Sequence, residues 1–346
     1  MKFNLKNAEK PWVDGLDVYV PGLMIPGYVK LASNENNYGP SPKVREAICS
    51  GLDRLKTYPY LGDKVIESIA QYAGCGKENI MLGNGSDELI ESVFRAFKGP
   101  AAGANPSYGE YRLFSQVLGT EFITSDLNQD FSFNANRFIA ETKRANILML
   151  CTPNNPTGTT IVKEDIKKVL DEGKLTVIDE AYMEFCGKTS IELVKKYPNL
   201  IILRTFSKAF ALAGLRIGYA VSNPEIIEVM SKVRPRLSVN SVALDAALGA
   251  LSDVEYMKKT VEKIIADREN LYNVINKKFP AVKSESNFIL FDASPKKSQE
   301  VCDAFLKEKI ILRDFGKIKG FRGEYLRVSV GTKEENNKFL QVLDRL

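Results

Sequence analysis

Three short and almost continuously apolar runs constrain the fold of this chain more than any other feature of its sequence. They are NILMLC (146–151), LTVID (175–179) and LIILR (200–204). Strands of this kind are buried on both faces, as in parallel sheets covered by helices. A helical pattern with Ile166, Val169 and Leu170 separates the first two runs. This alternation predicts βαβ units and an open, mostly parallel sheet of the α/β class.

Helical patterns begin well before this sheet. Ser41 and Pro42 predict a helix start, with an N-cap followed by proline at the first helical position. The apolar residues after them predict one buried helix face, made of Val44, Ile48, Leu52 and Leu55. A second helix is expected to open near Ser86.

The pattern changes after Pro235, where strands become rarer. A long amphipathic helix is predicted over about 254–279. Further strands are predicted at 287–291, 310–313 and 325–330, with a helix near 298–308 and another at the C-terminus. A length of 346 residues favours two domains. We predict a large α/β domain with a mostly parallel central sheet over 41–250, and a smaller α+β domain formed by 1–40 together with 251–346.

The chain contains no histidine. This excludes Ser-His-Asp and Cys-His catalysis, as well as histidine-based zinc and iron sites, and we expect no metal. Proton transfer near neutral pH must then use another side chain with a shifted pKa, or a cofactor. Elimination therefore favours a lysine.

Charge and cysteine content indicate the partners and the cellular compartment of the protein. The net charge of +5 is spread along the chain rather than gathered on one face, so we expect no nucleic-acid partner. No apolar run approaches the ~20 residues that a membrane span requires, and the N-terminus lacks the core of a signal peptide. The five cysteines contain no CxxC pair and are typical of free thiols. We therefore expect a cytoplasmic protein with no membrane partner.

Polar side chains follow two of the predicted strands. Lys208 comes after the run at 200–204, flanked by Thr205 and Ser207 and followed by Arg216, while Asp179 ends the run at 175–179. Ligands of open α/β sheets bind beyond the carboxyl ends of the strands. A lysine and a carboxylate at that edge suit an anionic cofactor. Each motif alone also fits an ordinary loop lysine or a turn-capping acid.

Two glycine- or proline-rich segments are expected at the same edge. TPNNPTG (152–158) predicts a tight turn that presents Asn154 and Asn155. GNGSDELI (83–90) predicts a helix start whose backbone N–H groups could bind a phosphate. Plain turns and capped helix starts have similar sequences, so neither motif is specific by itself.

Taken together and in this order, the four segments resemble the fold-type I aminotransferases that depend on pyridoxal 5′-phosphate (PLP). Among these, the chain is most similar to the histidinol-phosphate aminotransferase family. The similarity extends from KLASNENNYGPSP (30–42) and TYPYLG (57–62) to YLRVSVGT (325–332).

The resemblance implies a role for each matching residue. Lys208 would carry PLP as a Schiff base and then move a proton during catalysis. Asp179 would pair with the pyridine nitrogen, Tyr182 and Asn155 would bind the ring hydroxyl oxygen, and Tyr108 would stack on the ring. The residues expected to hold the phosphate are Ser86, Asp87, Thr205, Ser207, Arg216 and Tyr58. Because Tyr58 would reach the phosphate from the neighbouring subunit, the resemblance also implies a homodimer.

The same resemblance places Tyr19, Arg313 and Arg327 at the substrate. A guanidinium group fits a carboxylate or a phosphate equally well. The site could therefore accept a small-molecule amino donor, histidinol phosphate, and a 2-oxo acid acceptor, 2-oxoglutarate.

One segment departs from the family pattern and leaves the substrate open. RPRLSVNS (234–241) stands where the family usually has Arg-Pro-Pro-aromatic-Asn-Val-Asn, so Arg236, Leu237 and Ser238 differ. An aromatic amino acid aminotransferase and a lyase of the same fold, such as threonine-phosphate decarboxylase, remain alternatives. A non-catalytic phosphate-binding α/β protein is disfavoured, because the chain has no GxGxxG or Walker motif.

Overall fold

A computed structural model describes residues 3, 5–16, 18 and 22–346 of the chain. Its strands are β1 (Val29–Lys30), β2 (Ile80–Gly83), β3 (Ala101–Asn105), β4 (Phe122–Asp126), β5 (Ile147–Cys151), β6 (Leu175–Asp179), β7 (Leu200–Thr205), β8 (Gly218–Ser222), β9 (Phe288–Asp292), β10 (Ile310–Ile311), β11 (Arg313–Gly316) and β12 (Tyr325–Ser329). Its helices are α1 (Leu5–Ala8), α2 (Pro42–Gly51), α3 (Gly62–Ala73), α4 (Gly85–Ala96), α5 (Glu110–Val117), α6 (Ala135–Glu141), α7 (Lys163–Leu170), α8 (Met183–Cys186), α9 (Pro224–Val233), α10 (Ser241–Leu251), α11 (Val254–Lys278), α12 (Ser298–Lys307) and α13 (Lys333–Asp344). Short 3₁₀ turns span Leu52–Lys56, Lys77–Asn79, Ile191–Lys195 and Ala213–Leu215.

A seven-stranded sheet forms the centre of the molecule, in the order β2-β8-β7-β6-β5-β3-β4. Within this sheet β8 pairs antiparallel with both of its neighbours, and the other pairings are parallel. The prediction of a mostly parallel α/β sheet is therefore confirmed. Because the parallel strands share one direction, Asp179, Cys151 and Thr205 all reach the same edge of the sheet.

The continuous apolar runs are explained by cores on both faces of this sheet. In β7, Leu200 and Ile202 pack into one core, whereas Ile201 and Leu203 pack into another. Successive strand residues point to opposite faces, so a strand covered on both sides needs apolar residues at every position.

A second, smaller sheet has the antiparallel order β11-β12-β9, and β1 pairs in parallel with β10. The run 310–313, predicted as one strand, is divided between these two sheets. Ile310 and Ile311 pair with β1, and Arg313 begins β11. The domain boundaries at 40/41 and 250/251 stay a prediction.

The long helix predicted after residue 254 is present as α11, which has 25 residues. Val261, Ile264, Leu271 and Ile275 are buried along one side of it. Charged residues occupy the other side, as in an amphipathic helix at the surface of a domain. No helix in the described part of the chain combines the length and apolar character needed to cross a membrane.

The predicted apolar face of α2 is only half correct. Val44 is buried, but the α-helix ends at Gly51, and Leu52 and Leu55 are 51% and 55% exposed. Both leucines lie in the following 3₁₀ turn. A 3₁₀ segment has about three residues per turn instead of about 3.6, which rotates later side chains away from the face of the preceding helix.

Candidate active site

A cavity of about 400 Å³ opens at the carboxyl edge of the central sheet. It brings together most of the residues that the sequence indicates as functional. Those that line it are Ser86, Asp87, Tyr108, Asn155, Asp179, Tyr182, Thr205, Ser207, Lys208, Arg216, Arg313 and Arg327. They come from loops and strand ends far apart in the sequence, as expected of a ligand site in an open α/β sheet.

Lys208 lies in the loop that follows β7, with its amine enclosed by the cavity walls. Its Nζ donates a hydrogen bond to the Ser33 carbonyl oxygen over 3.1 Å and lies 5.7 Å from the centre of the Tyr182 ring. Burial disfavours the charged ammonium and the Arg327 guanidinium repels it, which together lower the pKa of Lys208 to about 8. Roughly a tenth of the amine is therefore neutral, and nucleophilic, at pH 7.

Asp179 ends β6, and its carboxyl group is buried. Burial raises the pKa of Asp179 to about 6, although two hydrogen bonds oppose this rise. The Tyr111 hydroxyl donates to Oδ2 over 2.7 Å, and the Ala181 backbone N–H donates to Oδ1 over 3.0 Å. These two donors favour the ionised carboxylate at neutral pH.

The start of α4 forms one end of the cavity. The Asn84 side chain does not cap this helix, although the Asn84 N–H donates to Glu88 Oε2 over 2.6 Å. A Cβ atom on Gly85 would come within 2.7 Å of Arg216 Nη2, and one on Gly218 would come within 2.8 Å of the Ser86 nitrogen. Glycine at these two positions therefore lets Arg216 and the start of α4 converge.

Arg216 makes its closest contact at this end with an acidic side chain. Its Nη2 lies 2.8 Å from Asp87 Oδ2, and its Nη1 donates to Ser207 Oγ over 3.4 Å. The other oxygen of Asp87 accepts a hydrogen bond of 3.1 Å from Tyr108, whose ring packs edge-on against Tyr111. The Thr205 hydroxyl accepts from the Ser207 N–H over 3.0 Å.

The opposite wall of the cavity carries Tyr182, Asn155 and Arg327. Tyr182 Oη accepts a hydrogen bond of 2.9 Å from Asn34 Nδ2. Arg327 donates to Asn155 Oδ1 and, over 2.7 Å, to the Ala32 carbonyl oxygen. Its guanidinium also lies 5.1 Å from the Phe288 ring, and burial lowers the pKa of Arg327 to about 10.

Arg327 lines the cavity, and one of its donors has no partner. Its Nε is buried and makes no hydrogen bond within the described residues. Such an orphaned donor is costly unless a ligand supplies an acceptor. Arg313, by contrast, is exposed at the cavity mouth, 5.8 Å from the Phe315 ring.

Among the described residues, Tyr58 and residues 236–238 do not line this cavity. Tyr58 is 84% exposed and does not line it. Tyr19 lies outside the described residues. Arg236 and Leu237 are exposed, whereas Ser238 donates a hydrogen bond of 2.8 Å to Glu88. The described residues include no cluster of acidic or cysteine side chains that could hold a metal ion.

Sequence reasoning missed several residues at the site, and two of them bind predicted residues through their side chains. Tyr111 binds Asp179, and Asn34 binds Tyr182. Tyr111 lies on α5, whereas Tyr108 precedes this helix, and no local pattern links Tyr111 to Asp179. Asn34 lies within the quoted segment KLASNENNYGPSP, but nothing local links it to Tyr182, which is 148 residues away.

Comparisons with known proteins identify relatives along nearly the whole chain. The family described as aminotransferase class I and II matches residues 26–343. Histidinol-phosphate aminotransferases from Methanocaldococcus jannaschii and Methanothermobacter thermautotrophicus are 35% and 38% identical to this chain. Each alignment covers 99% of this chain, with 98% and 96% of the relative. The crystal structure of the histidinol-phosphate aminotransferase from Clostridium acetobutylicum is similar with a TM-score of 0.86 at 27% identity, over 92% of this chain and 98% of that one.

A structure from Sinorhizobium meliloti, of a histidinol-phosphate aminotransferase in complex with pyridoxal-5′-phosphate, shares the fold. Its TM-score is 0.88 at 24% identity, over 97% of this chain and 96% of that one. The fold-type I architecture expected from the sequence is thereby confirmed. The chain belongs to the class I and II aminotransferases and, within them, to the histidinol-phosphate aminotransferase family.

Proposed function

We propose that this chain is a PLP-dependent aminotransferase that transfers the amino group of histidinol phosphate to 2-oxoglutarate. One observation carries the proposal: a single cavity holds a lysine of lowered pKa and a buried carboxylate, with an anion-binding helix start beside them. Histidinol-phosphate aminotransferase relatives aligned along nearly the whole chain support the choice of substrate.

The cavity fits PLP in both charge and chemistry. The convergence of Gly85, Gly218 and Arg216 leaves a cradle of N–H groups and a guanidinium for a phosphate. We assign the backbone N–H groups of Ser86 and Asp87, together with Thr205, Ser207 and Arg216, to that phosphate. When bound, PLP supplies an electron-withdrawing ring that stabilises negative charge at the substrate Cα.

Lys208 would hold the cofactor covalently and later act as the base. Its lowered pKa favours the neutral amine, which alone can attack a carbonyl carbon or accept a proton. Once released, Nζ would take the proton from the substrate Cα.

The other polar groups would orient the cofactor and set its charge. The Asp179 carboxylate would keep the pyridine nitrogen protonated, while Tyr182 and Asn155 would bind the ring hydroxyl oxygen. Tyr108 would cover one face of the ring.

Arginine side chains would recognise the substrates. Arg327 and Arg313 both line the cavity. Arg327 is buried and has an unpartnered Nε, and Arg313 is exposed. We assign both to the carboxylate of the amino acceptor and to the phosphate of the amino donor, together with Tyr19. A planar guanidinium suits both anions.

Assembly and location are also proposed. We infer a homodimer in which Tyr58 reaches the phosphate of the neighbouring cofactor, which would account for its exposure in the single chain. We also infer a cytoplasmic location, supported by five cysteines that are all free, as in a reducing compartment.

Borohydride trapping tests the cofactor assignment. Reduction of the purified protein should fix the cofactor on Lys208, and peptide mapping should locate it there. Lys208→Ala should fold normally but retain no reduced adduct. Adduct on a different lysine would refute the assignment.

The substrate is tested by comparing kcat/KM for histidinol phosphate, phenylalanine and tyrosine with 2-oxoglutarate as acceptor. Histidinol phosphate should be the best of the three. If phenylalanine or tyrosine is better, the protein is an aromatic aminotransferase. Release of CO₂ from threonine phosphate without amino transfer would identify a decarboxylase.

A further inference from the structure

The hydroxyl group of Tyr182 has one fixed partner in the described structure, and this partner controls the direction of its proton. Tyr182 is 4% exposed, and its Oη accepts a hydrogen bond of 2.9 Å from Asn34 Nδ2. No described residue accepts the proton of this hydroxyl. Because one lone pair is taken by a donor, the proton must point elsewhere, and Tyr182 also lines the cavity.

The orientation of the Asn34 amide is fixed by its other contacts. Its Oδ1 accepts a hydrogen bond of 3.2 Å from the Ser329 hydroxyl, which in turn accepts one of 2.8 Å from the Asn34 backbone N–H. These contacts leave Nδ2 as the group that faces Tyr182. Asn287 Nδ2 donates to the Asn34 carbonyl oxygen over 3.0 Å and completes the network.

The backbone at Asn34 is suited to this task. Its φ is 55°, in the left-handed region that asparagine tolerates better than most residues, and the side chain is 1% exposed. Asn34 joins the N-terminal segment to β12 through Ser329 and to the loop after β6 through Tyr182.

We propose that Asn34 is a positioning residue that directs the hydroxyl proton of Tyr182 toward the ring hydroxyl oxygen of the cofactor. The inference rests on the proposed function, which places that oxygen beside Tyr182. A hydrogen bond from Tyr182 stabilises negative charge on the ring oxygen. The oxygen then binds the protonated nitrogen of the Lys208–cofactor linkage less strongly, so that the nitrogen loses its proton at a lower pH.

Asn34→Asp offers a sharp test, because it keeps the size of the side chain and replaces the donor by an acceptor. Tyr182 would then donate its proton to the new carboxylate instead of the cofactor. The measurement is the pH midpoint of the visible absorbance change in the PLP-loaded protein, together with its affinity for PLP. The midpoint should rise by about one pH unit, as it should in Tyr182→Phe, because a hydrogen bond to a charged oxygen is lost.

A double variant distinguishes two effects of Asn34→Asp on the midpoint: the redirection of the Tyr182 proton and the added negative charge. In the Tyr182→Phe background, Asn34→Asp should shift the midpoint no further, since there is no tyrosine proton to withdraw. A second shift of similar size would mean that the new carboxylate acts by its charge, which would overturn the proposal. Asn37→Ala serves as the matched control, because Asn37 Nδ2 binds Glu335 rather than Tyr182, and its midpoint should equal that of the wild type.

Asn34→Gly covers the case in which Asn34→Asp does not fold, because glycine adopts the same φ without strain. Its midpoint should also rise, but by less, since the tyrosine proton is freed rather than withdrawn. An unchanged midpoint in Asn34→Gly, in Asn34→Asp or in Tyr182→Phe would overturn the inference. If the wild-type protein shows neither a pH-dependent band nor an adduct on Lys208, the proposed function itself has failed.

Discussion

Asp179 shows how a single carboxyl group can be kept ionised inside a protein. Burial raises its pKa, whereas the donors on Tyr111 and Ala181 stabilise the charged form. Asp179→Asn keeps the shape but removes the charge. We expect the variant to bind PLP and to lose roughly two decades in kcat, because a neutral amide stabilises a pyridinium poorly.

Tyr111→Phe changes the surroundings of the same carboxylate and serves as a milder variant for comparison with Asp179→Asn. It leaves the carboxylate in place and removes one of its two donors. The loss in kcat should be smaller than in Asp179→Asn and should grow as the pH falls toward 6. Near-normal turnover in Asp179→Asn would show that the carboxylate does not sustain the reaction.

The lowered pKa of Lys208 predicts how the protein captures its cofactor. Only the neutral amine attacks a carbonyl carbon, and the fraction of neutral amine increases with pH up to the pKa of about 8. The rate constant for PLP capture by the cofactor-free protein should rise about tenfold per pH unit below 8 and level off above it.

Stopped-flow absorbance measures this rate, and Lys208→Ala gives the background due to other lysines. A rate that keeps rising to pH 10 would mean that Lys208 has the pKa of an ordinary surface lysine. Burial and the charge of Arg327 would then not lower the pKa of Lys208 in solution.

At the scale of elements, a buried ion pair joins the end of β6, the strand that ends at Asp179, to β7, the strand that precedes Lys208. Glu180 follows β6, and its Oε2 accepts from Arg204 Nη2 over 2.9 Å, while Arg204 belongs to β7. Both side chains are less than 5% exposed. Arg204→Met should lower the free energy of unfolding by about 3–5 kcal/mol, because it leaves a buried carboxylate without its cation.

Arg144→Met provides the matched control. Arg144 pairs with Glu121 over 2.6 Å, but the side chains are 70% and 53% exposed. Solvent screens such a pair, so this variant should lose less than about 1 kcal/mol. Urea unfolding of both variants measures the contrast, and equal losses would show that the Arg204–Glu180 pair is not the source of the effect.

The elements also show what local sequence can and cannot predict. The bounds of β6 and α11 follow from hydrophobic pattern, because strand and helix periods are local properties of the chain. Leu52 was placed wrongly because the change from α-helix to 3₁₀ turn leaves no clear local signal. Tyr111 was missed for another reason: its contact with Asp179 spans 68 residues and exists only in the folded molecule.

At the scale of the whole molecule, the site draws on every major part of the chain. Asn34 comes from the N-terminal segment, Lys208 from the edge of the central sheet, and Arg327 from the small sheet. Their contacts converge on one cavity, so the relative placement of the two sheets determines its geometry. Tyr58 is the predicted cofactor residue that a single described chain leaves outside this cavity.

Mixed dimers test whether Tyr58 acts across a subunit interface. Lys208→Ala and Tyr58→Ala chains, each impaired as a homodimer, are combined so that hybrids form. If Tyr58 serves the neighbouring subunit, one site of each hybrid combines an intact Lys208 with an intact Tyr58, and its other site carries both substitutions. Random exchange at equal amounts makes roughly half of the dimers hybrids, so activity should recover to roughly a quarter of the wild-type value.

If Tyr58 served its own subunit instead, every site in the mixture would carry one substitution and no activity would return. Sedimentation should show about twice the chain mass for each parent and for the mixture, because a closed two-fold dimer is the simplest assembly that lets two equivalent tyrosines reach each other's sites. Recovery of activity in a sample that sediments as a monomer would contradict both parts of the proposal. Recovery in the dimer would explain why a tyrosine that is 84% exposed in one chain is needed at the cofactor of another.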